Sequence, residues 1–243
     1  MIDTLLLTTV RVSTYIGDTA LSTATCFFFE RDGRLFLVTS NHVVFDEPSG
    51  HKPDRLVIDL HTDISNIAQA TNFSIPLYRN GKSIWRGAKD SGGAIDVAVV
   101  EIERSKLPAG TVIEAFTLAS LVPNDDDVEI GATLLTVGYP MGFHDELHHL
   151  PVVRQAALSS SFGLRFQGMG YFLVDARTHR GISGAPVVMR VPQDSNMPDR
   201  LPWKLLGIHS ARLESPTRDP NLDDLLGLNA VWYADVLTTL TEN

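Results

Sequence analysis

Residues 24–44 read Ala24-Thr25-Cys26-Phe27-Phe28-Phe29-Glu30-Arg31-Asp32-Gly33-Arg34-Leu35-Phe36-Leu37-Val38-Thr39-Ser40-Asn41-His42-Val43-Val44. Two apolar runs flank Asp32-Gly33, a pair suited to a tight turn because glycine accepts positive φ, so the segment predicts a β-hairpin. Directly after the hairpin the chain turns polar and presents His42 between Asn41 and Val43. Outward from this stretch, short apolar runs recur at residues 5–12, 55–60, 95–102, 132–137, 151–158, 171–176, 185–189 and 205–208. Turn residues separate them and few long stretches carry a 3.6-residue period, so the chain reads as all-β. Residues 235–240 are the exception, a short closing helix with Asp235 at the end where a carboxylate suits the helix dipole. Two segments, 124–127 by charge and 192–202 by Pro, Asp, Ser and Asn content, read as exposed loops.

Composition narrows the function classes. The 243 residues are 44% hydrophobic and 20% charged, ordinary values for a chain with a proper core. A formal net charge of −9 without a basic stripe argues against a nucleic-acid partner and against an anionic membrane surface. Cys26 is the one cysteine, which leaves no disulfide framework and no cysteine zinc cluster. The start, Met1-Ile2-Asp3, has no basic segment ahead of an apolar one, and no apolar run reaches the about 18 residues a bilayer span needs. A cytoplasmic location is expected, with no cofactor.

Three segments place a polar residue beside an apolar strand: the one around His42, Ala94-Ile95-Asp96-Val97-Ala98-Val99-Val100, and Arg180-Gly181-Ile182-Ser183-Gly184-Ala185-Pro186. A serine hydroxyl is a poor nucleophile until a base takes its proton, and a histidine base works best when a carboxylate fixes its tautomer. Histidine, aspartate and serine occur here in that order along the chain. Asp90, Asp59 and Asp63 are the nearest rivals for the carboxylate, and none precedes a comparable apolar strand.

These segments resemble the chymotrypsin-like serine peptidases, particularly the protease domain of the bacterial HtrA type without its PDZ modules. Thr39-Ser40-Asn41-His42 is similar to the family's Thr-Ala-Ala-His, Ile95-Asp96-Val97-Ala98 to its Asp-Ile-Ala-Leu strand, and residues 175–184 to its Asp-Ala-Ala-Ile-Asn-x-Gly-Asn-Ser-Gly. Gly138-Tyr139-Pro140-Met141-Gly142 resembles its Gly-Asn-Pro-x-Gly, and Gly227-Leu228-Asn229-Ala230-Val231 the stretch leading into its last helix. The resemblance implies a double six-stranded β-barrel with a short C-terminal helix. Residues 1–118 would carry His42 and Asp96, and residues 119–243 Ser183, the oxyanion donors and the specificity pocket. It implies a serine endopeptidase acting on protein or peptide, with His42 as base and acid, Asp96 orienting it, Ser183 attacking, and the backbone N–H groups of Gly181 and Ser183 receiving the oxyanion. Ile182 stands where secreted trypsin relatives carry an Asp that pairs with a freed N-terminus, so that activation route is closed. Ala185 replaces a second glycine of the family pattern.

Thr178, five residues before Ser183, and Gly207-Ile208-His209 resemble the pockets of glutamyl endopeptidases and of picornaviral cysteine proteases. The resemblance implies that Thr178 and His209 donate hydrogen bonds to Glu or Gln before the scissile bond. Arg177 and Arg180 are alternative partners for an acidic substrate residue. Departures are the 192–202 insertion and Ser210-Ala211-Arg212 in place of the relatives' glycines. His144, Asp145, Glu146, His148 and His149 match no established ligand spacing, so no metal is expected. Restraint of such an enzyme is left open among narrow specificity, a collapsed oxyanion loop and a regulatory protein partner. Two rivals remain: a protease-fold binding module without turnover, and an α/β-hydrolase, whose order Ser, Asp, His this chain does not follow.

Overall fold

The computed structural model describes residues 2–122, 128–192, 201–213 and 226–242. The loops expected at 124–127 and, for the most part, at 192–202 lie outside the described residues. The chain opens on a 3-10 turn, Thr4–Thr8, whose first N–H groups are met by the Asp3 carboxylate at Leu5 (3.0 Å). The strand expected over 5–12 therefore starts only at Thr9, because Leu5 and Leu7 bury as a capped turn.

Ten strands follow in the N-terminal half: β1 (Thr9–Ile16), β2 (Thr19–Arg31), β3 (Arg34–Thr39), β4 (Arg55–His61), β5 (Ala70–Pro76), β6 (Tyr78–Arg79), β7 (Lys82–Ser83), β8 (Trp85–Asp90), β9 (Gly93–Ile102) and β10 (Phe116–Thr117). The helix α1 (Asn41–Val44) follows β3. Eight of the strands form one sheet in the order β5-β4-β1-β2-β3-β9-β8, with β10 added in parallel to β2, while β6 and β7 pair only with each other. The expected hairpin is present, with Arg31 opposite Arg34 across Asp32-Gly33. The C-terminal half is a closed six-stranded barrel of β11 (Thr133–Gly138), β12 (Val152–Leu158), β13 (Tyr171–Asp175), β14 (Pro186–Arg190), β15 (Trp203–Arg212) and β16 (Leu228–Tyr233). The helix α2 (Val236–Leu240) closes the chain. The all-β architecture that the apolar runs predict is present, and it agrees with the chymotrypsin-like double barrel that the resemblance implies, except that the N-terminal sheet holds eight strands and not six.

The continuous apolar character of β2, β3 and β9 has a structural reason. Side chains alternate faces along a strand, and here both faces are covered. Cys26, Phe28, Leu35, Leu37, Ala98 and Val100 point into the core of the N-terminal sheet. Their neighbours Phe27, Phe29, Phe36, Val38, Val97 and Val99 join Val188, Leu205, Ile208, Trp232 and Leu237 in a second core between the halves. A third core fills the C-terminal barrel around Phe162, Phe172, Leu206 and Val231. Each such side chain contributes about 1.5–3 kcal/mol on burial, so the shared middle core locks the two halves in register. The candidate site lies along that seam. Among the described residues no helix is long and apolar enough to cross a membrane.

Candidate active site

His42 leaves β3 on α1, and Asp96 lies early in β9, the strand paired with β3. The His42 N–H donates to Asp96 Oδ1 at 2.9 Å, and the ring Nδ1 meets Asp96 Oδ2 at 2.7 Å. A carboxylate accepts, so Nδ1 carries the proton and Nε2 keeps its lone pair. Burial works hardest against a charged imidazole here, but the Asp96 hydrogen bond and charge, with Asp46, outweigh it and raise the His42 pKa above its ordinary value. The rival carboxylates are engaged elsewhere: Asp59 with Arg11 and Asn72, Asp90 with Arg165, and Asp63 with the N–H of Ser65 in its own turn.

Ser183 comes from the other half, on the turn before β14. Its hydroxyl donates to the Ser210 carbonyl at 3.1 Å, and the Ser210 hydroxyl donates to Asp96 Oδ2 at 2.5 Å. Ser210 thereby ties Ser183 to the Asp96–His42 pair. No hydrogen bond joins Ser183 Oγ to His42 among the described residues.

The backbone around Ser183 is held from several directions. Met141 N–H donates to the Arg180 carbonyl at 2.5 Å; in a trans peptide the N–H of the same unit, on Gly181, then points the opposite way. Neither the Gly181 nor the Ser183 N–H has an acceptor among the described residues. Gly181 has φ +92°, and a β-carbon there would stand 2.6 Å from the Tyr139 carbonyl oxygen. From β2, Thr25 donates through its N–H to the Ser183 carbonyl (3.0 Å) and through Oγ1 to the Gly181 carbonyl (2.8 Å). Gly184, at φ +85°, lies so close that a β-carbon would collide with the Thr25 carbonyl oxygen and the Thr39 hydroxyl. Ile182 is buried against Gly138, so a packed apolar side chain anchors the turn.

Thr178 and His209 are brought together, but through a residue the sequence did not flag. Asn229 on β16 is 0% exposed, Thr178 3% and His209 2%. Asn229 Nδ2 donates to the carbonyls of Ala176 and Gly227, each at 2.8 Å, which fixes the amide orientation. Its Oδ1 accepts from Thr178 Oγ1 and from His209 Nε2, the latter at 3.2 Å. Arg177 and Arg180 are exposed. In the histidine-rich loop, His144 meets the Gly142 carbonyl at 2.6 Å and His148 meets Asp145 at 2.7 Å. Among the described residues no group of three or more His, Cys, Asp and Glu is arranged to hold a metal ion. Ser210, Thr25 and Asn229 were missed; Asn229 alone carried a signal, as the single amide or charged residue in the otherwise apolar strand β16.

With the site in view, the relatives can be read. The sequence profile of the trypsin-like peptidase domain matches residues 24–190. The chain belongs to that family. Among solved structures, the crystal structure of the serine endoprotease from Yersinia pestis is similar, with a TM-score of 0.55 and 15% identity. That likeness of fold covers 96% of this chain and 61% of the Yersinia chain, so this chain spans about three fifths of that protein. No curated protein matches the sequence. In this trypsin-like peptidase domain, His42, Asp96 and Ser183 fall inside the matched segment, whereas His209, Ser210 and Asn229 fall beyond it.

Proposed function

We propose that this chain is a serine endopeptidase in which Ser183 is the nucleophile, His42 the general base and acid, and Asp96 the group that orients His42. The observation that carries the reading is the Asp96–His42 pair at 2.7 Å, joined through Ser210 to a serine whose own N–H and that of Gly181 lack acceptors among the described residues. In the reaction, His42 Nε2 takes the Ser183 proton as Oγ attacks the substrate carbonyl. The N–H groups of Gly181 and Ser183 receive the developing oxyanion, a contribution of about 2.7–4 kcal/mol per donor in comparable enzymes. Protonated His42 then gives its proton to the leaving amine, and water repeats the sequence on the acyl-enzyme.

Before attack the Ser183 hydroxyl must turn from the Ser210 carbonyl toward His42. A neutral hydrogen bond contributes about 0.5–1.5 kcal/mol net, so this rotation costs at most about tenfold in rate. The bonds from Met141 and Thr25 support a reading in which the turn forms without a partner. Substrate is protein or peptide, and no cofactor or metal enters any step.

The test is peptide-library cleavage by wild type beside Ser183→Ala. Cleavage should fall by about 10⁴–10⁶-fold in the variant; equal cleavage by both proteins would remove Ser183 from the chemistry. Library silence in the wild type, with an unreactive Ser183, would favour the binding-module reading.

A further inference from the structure

The Thr178–His209–Asn229 cluster has a chemistry of its own. Two donors, one hydroxyl and one imidazole N–H, converge on a single sp² oxygen. That is a receptor for a carboxylate or carboxamide oxygen, and it lies against the nucleophile turn. Thr178 is five residues before Ser183, the His209 carbonyl accepts from the Gly184 N–H at 2.8 Å, and Ser210 follows immediately. The oxygen in the receptor belongs to the protein. Because both Asn229 amide protons are also engaged, on the Ala176 and Gly227 carbonyls, all four hydrogen-bonding places on this amide that matter here are filled. An arriving Glu or Gln side chain would have to strand these buried groups to reach Thr178 and His209.

We infer that Asn229 is a specificity-determining residue: its side-chain amide occupies the receptor formed by Thr178 and His209. The chain therefore rejects Glu and Gln before the scissile bond. The inference rests on the serine-peptidase reading above and revises the specificity that the resemblance to glutamyl endopeptidases implies. Removing the amide hands both donors back to the substrate. Thr178 and His209 themselves then become the Glu- and Gln-reading pair.

The experiment compares peptide-library cleavage by wild type, Asn229→Ala, Asn229→Ser and Asn229→Ala with His209→Ala. A fluorophosphonate probe counts competent Ser183 in each. Wild type should show no preference for Glu or Gln, and either single variant should raise cleavage after Glu or Gln, relative to Ala, by about tenfold or more. The double variant should lose that gain. Wild type that already cleaves mainly after Glu or Gln overturns the inference, even where the variants fail to fold. So does probe-competent Asn229→Ala or Asn229→Ser with unchanged preference. A wild type that neither cleaves nor labels overturns the peptidase reading, and this inference with it.

Discussion

Two polar clusters are neighbours in the fold, one spanning the halves at Ser183 and one inside the C-terminal barrel at Asn229, and they are finished differently. Around Asn229 every donor of the amide has its acceptor and the oxygen has two donors, all from within the chain. Around Ser183 the Gly181 and Ser183 N–H groups lack acceptors among the described residues. Asn229 is buried, where polar groups are normally satisfied, whereas Gly181 and Ser183 are only half-buried; on the proposed function, the first cluster holds the protein together and the second receives a reacting molecule. On the specificity proposed above, the closed cluster holds its two donors on Asn229 and offers neither to a substrate.

The strongest way to break the contrast is at Gly184. A β-carbon there meets backbone of β2 as well as the Thr39 hydroxyl at positive φ, so neither a rotamer change nor a small shift relieves it. Gly184→Ala should cost about 4 kcal/mol or more, which lowers Tm by about 8 °C or more for a chain of this size, with loss of peptidase activity. A variant with wild-type melting and turnover would show that the turn is not held against Thr25 as described.

Ser210→Ala is milder. It removes one donor from the Asp96 carboxylate and leaves the Ser210 carbonyl in place. A hydrogen bond to a charged group contributes about 1.5–3 kcal/mol, so kcat should fall about 10- to 150-fold with KM little changed. An unchanged kcat would make Ser210 a bystander.

The smallest effects come from two histidines with opposite shifts. His42 is raised, so the neutral base, and kcat/KM with it, should be lost as pH falls through a value above about 6.5. His61 is buried and donates through Nε2 to the His148 carbonyl at 2.7 Å; burial, opposed by that bond, lowers its pKa. A lowered histidine contributes stability that is complete above about 6.5 and is lost as pH falls through its folded value. Melting temperature should therefore drop as pH falls below about 6.5, and His61→Gln should flatten the drop. An activity profile with its inflection below 6.5, or a melting profile that His61→Gln leaves unchanged, would contradict these assignments.

Much of this was legible in the sequence, for reasons that can be traced. β2, β3 and β9 were visible because cores on both faces make their apolar runs continuous, and His42 and Asp96 stand where those runs end. Strands β5 to β8 carry no such signal, since their side chains lie mostly at the surface. Thr25, Ser210 and Asn229 were hidden for another reason. Their partners are 156, 114 and 51 residues away in Gly181, Asp96 and Thr178, so their roles exist only once strand register is fixed. The Thr178–His209 resemblance carried no sign of Asn229, which β16 delivers between them.

The most direct test of the account is fluorophosphonate labelling of the folded wild-type chain, with the modified residue located by mass spectrometry. The account predicts one modification, on Ser183, absent in His42→Ala and after unfolding. Labelling that falls on another serine, or a Ser183 that reacts equally without His42, would contradict it.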